Sequence, residues 1–404
     1  MSATNEAAAD VLASVFREEA GRVTASLVAA VGDFDLAEES VQDALLAALE
    51  TWPRDGIPRN PGAWLTTTAR RRAIDRLRRD ARYQDKLELI RAAPDDVAEV
   101  DDRLRLIFTC CHPALGRDAQ VALTLRAVCG FTTAEIASAF LASEPAIAQR
   151  IVRARRKIVE AGIPYRVPSE RELEGRLAEV LAVLYLMFNE GYLASGGPAP
   201  ARRDLAEDAA WLAALVARLL PAEPEAQGLL ALMRLHLARA AARFDQAGEM
   251  VLLADQDRGL WDRRLIAAAV ELLERTAARR RPGPYQLQAA IAACHAEAVS
   301  WEATDWAQIV ALYDLLLRQM PSPVVRLNRA IALRHLEGPE AALAEVEALG
   351  RELDGYHLFH ATRAELLIDV GRAEQSRAAQ ARALELTGNP AERTLRLRRL
   401  GELQ

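Results

Sequence analysis

Hydrophobic residues recur at three- and four-residue intervals along most of the chain, which is the spacing of one face of an α-helix. The first such stretch covers residues 10–30, the second covers residues 35–49, and the third covers residues 61–83. No run of residues shows the strict alternation of hydrophobic and polar positions that is typical of a half-buried strand. The pattern therefore predicts an all-α protein.

The third stretch, 61–83, is amphipathic and unusually rich in arginine. Its hydrophobic face consists of Trp64, Leu65, Ala69, Ala73, Ile74 and Leu77. Between positions 70 and 82 it carries seven arginines and two aspartates, so its local charge is 7 − 2 = +5, whereas the whole chain has a formal net charge of −6. Such a face predicts binding to phosphates and bases, although a charge run alone also fits an ordinary solvated helix.

The stretch 35–49 has an acidic outer face instead. The acidic side chains are Asp35, Glu38, Glu39 and Asp43. Acidic residues near a helix start also compensate the helix dipole, so by themselves they do not indicate a partner. Residues 52–61 contain three prolines and a glycine, and they predict a loop between the two helices.

A second basic element follows a polar linker at 84–100. Residues 131–140 predict a helix that begins with a threonine cap and a first-turn glutamate, and a further helix starts at Glu144 after a short turn. The outer face of that last helix holds Gln149, Arg150, Arg153, Arg155, Arg156 and Lys157. Two helices joined in this way predict a helix-turn-helix, whose second helix enters the DNA major groove. Helical hairpins without a DNA-binding role have the same pattern.

The composition is that of a soluble globular protein. The chain has 404 residues, of which 51% are hydrophobic and 27% charged, so we expect two or three domains. The longest hydrophobic run, 180–188, is too short to span a membrane, and no signal peptide is evident. We therefore expect a cytoplasmic protein.

The four cysteines do not predict a disulfide framework or a metal site. Cys110 and Cys111 are adjacent, which prevents the usual spacing of zinc ligands, and we expect them to be buried as small hydrophobic residues. The six histidines are scattered, and the chain has neither a phosphate-binding glycine loop nor a nucleophile triad. We therefore predict no catalytic residue, no metal and no cofactor.

The order of these elements resembles the extracytoplasmic-function (ECF) group of bacterial RNA polymerase sigma factors. The residues that carry the resemblance are Ala37–Ala44, Trp64-Leu65, Ala69-Arg70, Ala73–Arg78, Ala134–Ala137, Arg150 and Arg153–Arg155. At the start of the second helix of the helix-turn-helix this chain has Pro145–Gln149, where the group often has Gly-Thr-Val-Lys-Ser. The resemblance covers residues 8–162 and implies core RNA polymerase and promoter DNA as partners.

The resemblance also implies a division of labour. Residues 1–90 would form the domain that binds core polymerase and the −10 element, and 91–165 would contain the linker and the domain that reads the −35 element as duplex. Polymerase would be contacted by Asp35, Glu38, Glu39, Gln42 and Asp43. The opened −10 strand would be held by Asn60, Trp64, Arg70, Arg71, Arg72, Arg76, Arg78 and Arg79. The −35 duplex would be contacted by Gln149, Arg150, Arg153, Arg156 and Lys157.

Residues 166–404 predict a third, larger helical domain. Ala330, Leu333 and Ala342 are each followed 34 residues later by Ala364, Leu367 and Ser376. This spacing favours a tetratricopeptide-like helical domain, and an irregular helical bundle is the alternative. Segments such as 184–192, 255–258 and 283–295 resemble the C-terminal extension of one ECF subgroup. Their polar residues would either form caps and buried hydrogen bonds or line a surface for a protein or small-molecule ligand.

These observations predict a non-enzymatic sigma factor with an in-chain regulatory domain. One alternative is a helix-turn-helix regulator that binds duplex DNA unaided and has a ligand-sensing helical domain. A second is a scaffold built on the helical repeats, in which the arginine-rich helix is merely solvated.

Overall fold

The computed structural model describes residues 21–31, 33–79, 102–140, 142–194 and 201–402. All regular elements in these ranges are helices, and no strand occurs there apart from an isolated bridge between Phe244 and Met250. The all-α prediction is therefore confirmed. The chain forms two compact units, which meet in the sequence between Leu186 and Met187.

The described residues of the first unit form eight helices. They are α1 (21–31), α2 (Phe34–Asp55), α3 (Pro61–Arg79), α4 (Asp102–Cys110), α5 (Arg117–Ala127), α6 (Thr133–Ala139), α7 (Glu144–Glu160) and α8 (Glu170–Tyr192), which continues into the second unit. The predicted linker at 84–100 and the first residues of the predicted helix 10–30 lie outside the described residues.

Helices α2 and α3 pack against each other through small and aromatic residues. Ala37, Ala44 and Ala48 of α2 are buried, as are Ala69 and Ala73 of α3, so the two backbones approach closely. Trp52 is also buried and meets Trp64 edge-to-face, with ring centroids 5.5 Å apart. This is a favourable aromatic geometry. Hydrophobic spacing therefore identified the face of α3 that meets α2.

Helix α2 extends further than the sequence predicted. The expected loop began at Trp52, but the helix continues through Pro53 and ends at Gly56, whose φ of 86° requires a residue tolerant of the left-handed region. A proline removes only one helical hydrogen bond in the last turn. Burial of Trp52 against Trp64 outweighs that loss, and the true loop is limited to 56–60.

Helices α6 and α7 form the predicted helix-turn-helix. Thr132 caps α6 through a reciprocal capping box with Glu135, which confirms the predicted start. Ile147 and Ile151 of α7 are buried together with Ala154 and Ile158. This face packs against α5 and α6 and leaves the opposite face of α7 in solvent. The buried stripe has the helical periodicity expected from the sequence.

The second unit is a succession of helices, most of which pack on their neighbours in the sequence. They are α9 (Arg203–Leu219), α10 (Pro224–Leu237), α11 (Arg263–Ala277), α12 (Pro284–Glu297), α13 (Trp306–Gln319), α14 (Pro323–Leu336), α15 (Pro339–Glu347), α16 (Gly350–Leu353), α17 (His357–Asp369), α18 (Ala373–Leu386) and α19 (Pro390–Gly401). Three short 3-10 helices (Ala240–Ala242, Leu253–Asp255 and Arg258–Leu260) lie between α10 and α11.

The positions that repeat at 34-residue spacing are all buried. Ala330 and Ala364 occupy equivalent places in α14 and α17, and Ala342 and Ser376 do so in α15 and α18. The Ser376 hydroxyl donates to the carbonyl of Ala364 at 2.8 Å. Small residues at such positions let neighbouring helices approach closely.

The cysteines take the environments expected of small hydrophobic residues. Cys110, Cys111 and Cys129 are buried, and Cys294 is partly buried. Burial raises the pKa of the Cys111 thiol to about 12, although Thr124 opposes that shift, so the thiol is protonated at neutral pH. No group of three or more potential metal ligands occurs in the parts of the chain that the structure describes.

Candidate nucleic-acid and polymerase interface

The arginine-rich helix α3 presents most of its predicted DNA-binding residues at its surface. Arg71, Arg72 and Arg78 are exposed and Arg70 is half-buried. Arg78 lies 3.9 Å from the carboxylate of Asp75. The side chain of Arg79 lies outside the described residues. The basic face therefore projects away from the α2–α3 core.

Two predicted DNA-binding residues also have structural roles. The Asn60 side chain accepts a hydrogen bond from the Ala63 backbone at 3.0 Å and so caps the start of α3. Trp64 is half-buried against Trp52. Both residues position α3 relative to α2, whatever else they contact.

Arg76 is turned towards the acidic helix rather than away from it. Its guanidinium forms ion pairs with Glu39 and with Asp43, the latter at 2.8 Å. The hydrogen bond that Arg76 donates to Asp43 is the main reason that the pKa of Arg76 is raised. The sequence assigned Arg76 to promoter DNA and Glu39 and Asp43 to polymerase, but in this structure the three side chains form ion pairs with each other.

The acidic face of α2 is partly covered within the first unit. Glu38 forms ion pairs with Arg126 of α5 and Arg155 of α7, and only 17% of its side chain is exposed. Asp35 also pairs with Arg155. Gln42 is exposed. Of the five predicted polymerase-binding residues, Gln42 alone has no ion pair to an arginine here, and as an amide it cannot form one.

Arg155 does not lie on the outer face of α7, contrary to the sequence prediction. Only 14% of its side chain is exposed. Burial by itself would lower its pKa, but Glu38 and Asp35 more than compensate and raise it. Arg155 follows the buried Ile151 by four positions, which places both on the same helical face. That spacing is the sequence signal that identifies the inward side chain.

The five predicted −35 residues, in contrast, lie on the solvent side of α7. Gln149 is exposed and its side chain accepts from Arg153 at 3.3 Å. Arg150 lies 3.6 Å from Asp118 of α5, and Arg156 pairs with Glu160 one turn along the helix. Lys157 is exposed. The arrangement offers a row of donors and cations of the kind that contacts phosphates beside a recognition helix.

Arg126 is the residue that sequence analysis missed. It stands in the last turn of α5, between buried positions, and its Nη1 donates to the carbonyl of Phe131 at 3.0 Å while its Nε pairs with Glu38. Nothing in its local sequence distinguishes it from the other arginines. Only the packing of α5 beside α2 shows its partner.

Several distinctive polar residues of the second unit serve as caps and buried hydrogen-bond partners. Asp257 caps a 3-10 helix through the Gly259 backbone, and Gln286 bonds to Glu225, which in turn accepts from the Tyr285 backbone. Gln288 donates to the carbonyl of Pro284. For these residues the prediction that they form caps and buried hydrogen bonds is confirmed.

Comparison with known proteins assigns most of these elements to families. The description Sigma-70 region 2 matches residues 15–83, Sigma-70, region 4 matches residues 105–158, and Family of unknown function (DUF6596) matches residues 176–277. A protein of Rhizobium meliloti (strain 1021), described as Uncharacterized protein R00370, is 48% identical over 372 residues, which cover 89% of this chain and 88% of that protein. The chain belongs to the same family as that protein. No solved structure matches it.

The two sigma-70 regions contain the features described above. Region 2 includes the acidic α2 and the basic α3, and region 4 includes the helix-turn-helix of α6 and α7. Domains of these two kinds support an RNA polymerase sigma factor and imply core polymerase and promoter DNA as partners. The DUF6596 match runs from α8 to the end of α11 and does not identify a tetratricopeptide repeat. Of the helices that the structure describes, none is long and apolar enough to cross a membrane.

Proposed function

We propose that this protein is a cytoplasmic sigma factor of the ECF group, which directs core RNA polymerase to promoters with −35 and −10 elements. The observation that carries the proposal is the presence, in one chain, of a region 2 with an arginine-rich helix and a region 4 with an exposed basic helix-turn-helix. Sigma factor families are not enzymes, and the proposal assigns no reaction to the chain.

The two basic faces suit two different forms of DNA. The arginines of α3 with the neighbouring Trp64 suit a melted strand, because arginines follow the backbone and aromatic rings offer stacking surfaces. The outer face of α7, from Gln149 to Lys157, suits the major groove of a duplex. We assign α3 to the −10 element and α7 to the −35 element.

Run-off transcription with core polymerase tests the proposal. Promoters are first selected from a random duplex library by the reconstituted holoenzyme, and a selected promoter is then used as template. We expect a product that requires both the protein and the −10 and −35 sequences. Tight duplex binding by the protein alone, with no promoter-dependent product, would instead support the helix-turn-helix regulator.

A triple variant addresses the scaffold alternative. Arg70, Arg71 and Arg72 are changed together to glutamine, which preserves helix propensity and removes three positive charges from the exposed side of α3. We expect run-off transcription to be lost while binding to core polymerase is retained. Unchanged transcription would contradict an involvement of this face in promoter opening.

The ion pairs on α2 give region 2 a closed arrangement in the free chain. Glu38 and Asp35 are the residues that we assign to polymerase, and both are held by Arg155 of region 4. If polymerase binds these two carboxylates, it must displace the guanidinium of Arg155 from them. We therefore propose that region 4 separates from α2 when the protein joins core polymerase.

We assign a regulatory role to the second unit, which we propose to be tetratricopeptide-like. The buried small residues at 34-residue spacing and the packing of sequence-adjacent helices support that architecture. Its partner would be a protein or a small-molecule ligand.

Truncation tests the regulatory role and should follow the structure. A cut at 170 would remove Arg176 and Glu179 of α8, which bond to the Phe108 carbonyl and to Arg117 within the first unit. We therefore compare residues 1–192, which retain all of α8, with the full chain. A change in run-off transcription in either direction supports regulation, whereas equal activity excludes it.

A further inference from the structure

A cluster of cationic and aromatic side chains lies inside the second unit, around Trp261. We refer to it as the Trp261 cluster. It consists of Tyr192, His236, Arg239, Arg243, Arg258, Trp261, Arg263 and His295. Helices α8, α10, α11 and α12 and the 3-10 helices between α10 and α11 supply these residues. None of them belongs to the sigma-70 regions.

Three guanidinium groups surround the Trp261 ring. The Cζ of Arg258 lies 4.5 Å from the ring centroid, and those of Arg239 and Arg263 lie at 5.9 Å and 6.0 Å. These distances are in the range of cation–π attraction. A fourth guanidinium, that of Arg243, lies 3.6 Å from the ring centroid of Tyr192.

Positive charge in the cluster is not neutralised by ion pairs. Among the described residues, no carboxylate forms an ion pair with Arg239, Arg243, Arg258 or Arg263. Burial lowers the pKa of both Arg243 and Arg258. Glu392 acts to raise the pKa of Arg243, and Glu302 acts to raise that of Arg258, but neither outweighs burial. Burial, followed by Arg239, Arg258 and His335, also lowers the pKa of His295 to about 4. Arg243 is buried, Arg239 and Arg258 are half-buried, and Arg263 is exposed. Charges withdrawn from water are normally paired, so the unpaired guanidinium groups of the first three favour a negative group beside them.

Three nitrogen atoms of the cluster are buried without a hydrogen-bond partner among the described residues. They are Nε1 of Trp261, Nη2 of Arg258 and Nδ1 of His295. Trp261 is only 3% exposed, so its indole N–H is not satisfied by bulk water. An unsatisfied buried donor is destabilising, and each such group in a native protein requires an explanation.

Helix capping explains part of the cluster but not these atoms. Nη1 of Arg258 donates to the carbonyls of His295 and Ala298 at 2.7 Å and 2.8 Å, at the end of α12. Nη2 of the same guanidinium has no hydrogen-bond partner among the described residues, and neither has the indole N–H of Trp261. Arg239 donates to Tyr192 and contacts Nδ1 of His236 at 3.0 Å, which uses only one of its terminal nitrogens. Helix capping therefore does not account for Nη2 of Arg258 or Nε1 of Trp261, nor for the unpaired positive charge.

We propose that the Trp261 cluster is a binding site for a small oxyanion, the carboxylate or phosphate group of a small molecule. Nη2 of Arg258 and Nε1 of Trp261 are its donors, and Arg239 and Arg263, whose guanidinium groups also lie near the Trp261 ring, supply positive potential. An anion would satisfy the donors and neutralise the excess charge together, which a neutral or cationic ligand would not do. The buried position of the donors limits the bound group to a small one.

This site deepens the proposed regulation by the second unit, because its occupant would be the ligand that the unit senses. The binding itself does not depend on polymerase. Measuring it on the full chain without polymerase keeps its failure distinct from a failure of the sigma-factor proposal.

Indole NMR on the full chain, labelled with ¹⁵N at tryptophan, tests the site. The chain has six tryptophans, and the Trp261 signal is identified by its loss in Trp261→Phe. The protein is titrated with sodium sulfate and, separately, with sodium acetate, at ionic strength held constant with sodium chloride. Sulfate represents a tetrahedral oxyanion of the phosphate type, and acetate represents a carboxylate.

We expect the Trp261 N–H signal to shift downfield and to saturate with at least one of the two anions. The anion that binds more tightly identifies the ligand type. Arg258→Met should weaken binding by about 10-fold or more, since it removes a charged hydrogen-bond donor. Arg279→Met removes an exposed arginine of the same unit and should change binding by less than about 2-fold.

A pH series adds a readout that a merely structural role would not affect. The bound anion stabilises the charged form of His295, so sulfate should bind more tightly at pH 5 than at pH 7, and His295→Gln should abolish that difference. Sulfate keeps its charge over this range. A Trp261 signal that does not saturate with either anion, or that saturates equally in Arg258→Met, would overturn the proposal.

Discussion

Glu38 shows how one side chain links the two sigma-70 regions. It is a region 2 residue on the face that we assign to polymerase, yet its two oxygens are paired with Arg126 and Arg155 of region 4. Each of the three side chains is less than one-fifth exposed. Removing one partner from such a group leaves a poorly solvated charge and is more destabilising than breaking a surface pair.

His295 makes a second residue-scale prediction, this time about stability. Its pKa in the folded protein is about 4, whereas the pKa of an unperturbed histidine is about 6.5, so between these values the unfolded chain binds more protons. The folded state therefore loses stability as pH falls through this window, by about 2 kcal/mol at pH 5. Burial is the main cause, and Arg239, Arg258 and His335 are the charged groups that add to it.

The measurement is the thermal midpoint of the second unit at pH 7 and pH 5. We expect His295→Gln to show a smaller decrease than the natural protein, because glutamine does not titrate. The pKa of His236 is also lowered chiefly by burial, so His236 should still make the variant somewhat less stable at pH 5 than at pH 7. Equal decreases in the two proteins would show that His295 does not carry this dependence.

At the scale of elements, two helical glycines have opposite surroundings. A Cβ added at Gly228 of α10 would lie 2.7 Å from both the backbone nitrogen and the Cγ of Gln286 in α12. A Cβ at Gly175 of α8 would meet nothing within 4 Å. The first glycine permits close helix packing, and the second only loosens its own helix.

Alanine substitution at these glycines should therefore have opposite effects on unfolding. Gly228→Ala should destabilise the second unit, since overpacking costs about 1–3 kcal/mol and exceeds the helix-propensity gain of about 1 kcal/mol. Gly175→Ala should stabilise α8 by up to about 1 kcal/mol. Scanning calorimetry of each unit's transition provides the measurement. A stabilising Gly228→Ala would mean that α10 and α12 are not in close contact.

The outer face of α7 leads to a second prediction at this scale. Arg153, Arg156 and Lys157 changed together to glutamine should weaken binding of the holoenzyme to a selected promoter. If each residue contacts one phosphate, the slope of log K against log salt should become shallower by about 3 × 0.9. Filter binding at several salt concentrations measures this slope.

A charge-matched triple variant provides the control for that experiment. Arg279, Arg280 and Arg281 are exposed arginines of the second unit, and their replacement by glutamine removes the same charge. We expect the slope to remain unchanged in that variant. If both triple variants alter the slope equally, the effect reflects net charge and not contacts of α7.

At the scale of the whole molecule, the net charge of −6 hides a strongly uneven distribution. The outer faces of α3 and α7 are rich in exposed arginines, whereas Asp35, Glu38, Glu39 and Asp43 of α2 are already paired. Acidic regions elsewhere oppose phosphate at long range, so we expect weak promoter binding by the free protein. Binding to core polymerase would then be the step that makes both basic faces available.

Arg155 allows that step to be tested. Arg155→Met removes the ion pairs to Asp35 and Glu38 and should favour separation of region 4 from α2. If the closed arrangement predominates in the free chain, affinity for core polymerase should rise by about 3- to 10-fold. Arg156→Met, on the solvent side of α7, is the matched control. An Arg155→Met affinity equal to that of the control would exclude a gate at this position.

The sequence by itself determined the helical class, the approximate places of α2, α3, α6 and α7 and the order of the two sigma-like regions. Local signals suffice for these features: the spacing of Ile147 and Ile151, the Thr132 cap and the proline and glycine breaks all act within a few residues. The arginines exposed on α3 and α7 were also predictable, because the hydrophobic stripe fixes which face is buried.

Tertiary structure alone decided the partners of the charged residues. The inward position of Arg155, the pairing of Arg76 with Asp43 and the continuation of α2 through Pro53 depend on contacts between residues distant in the sequence. The Trp261 cluster likewise gathers side chains from between Tyr192 and His295. Helical periodicity fixes the direction of a side chain, but the charge that it meets depends on how the helices pack.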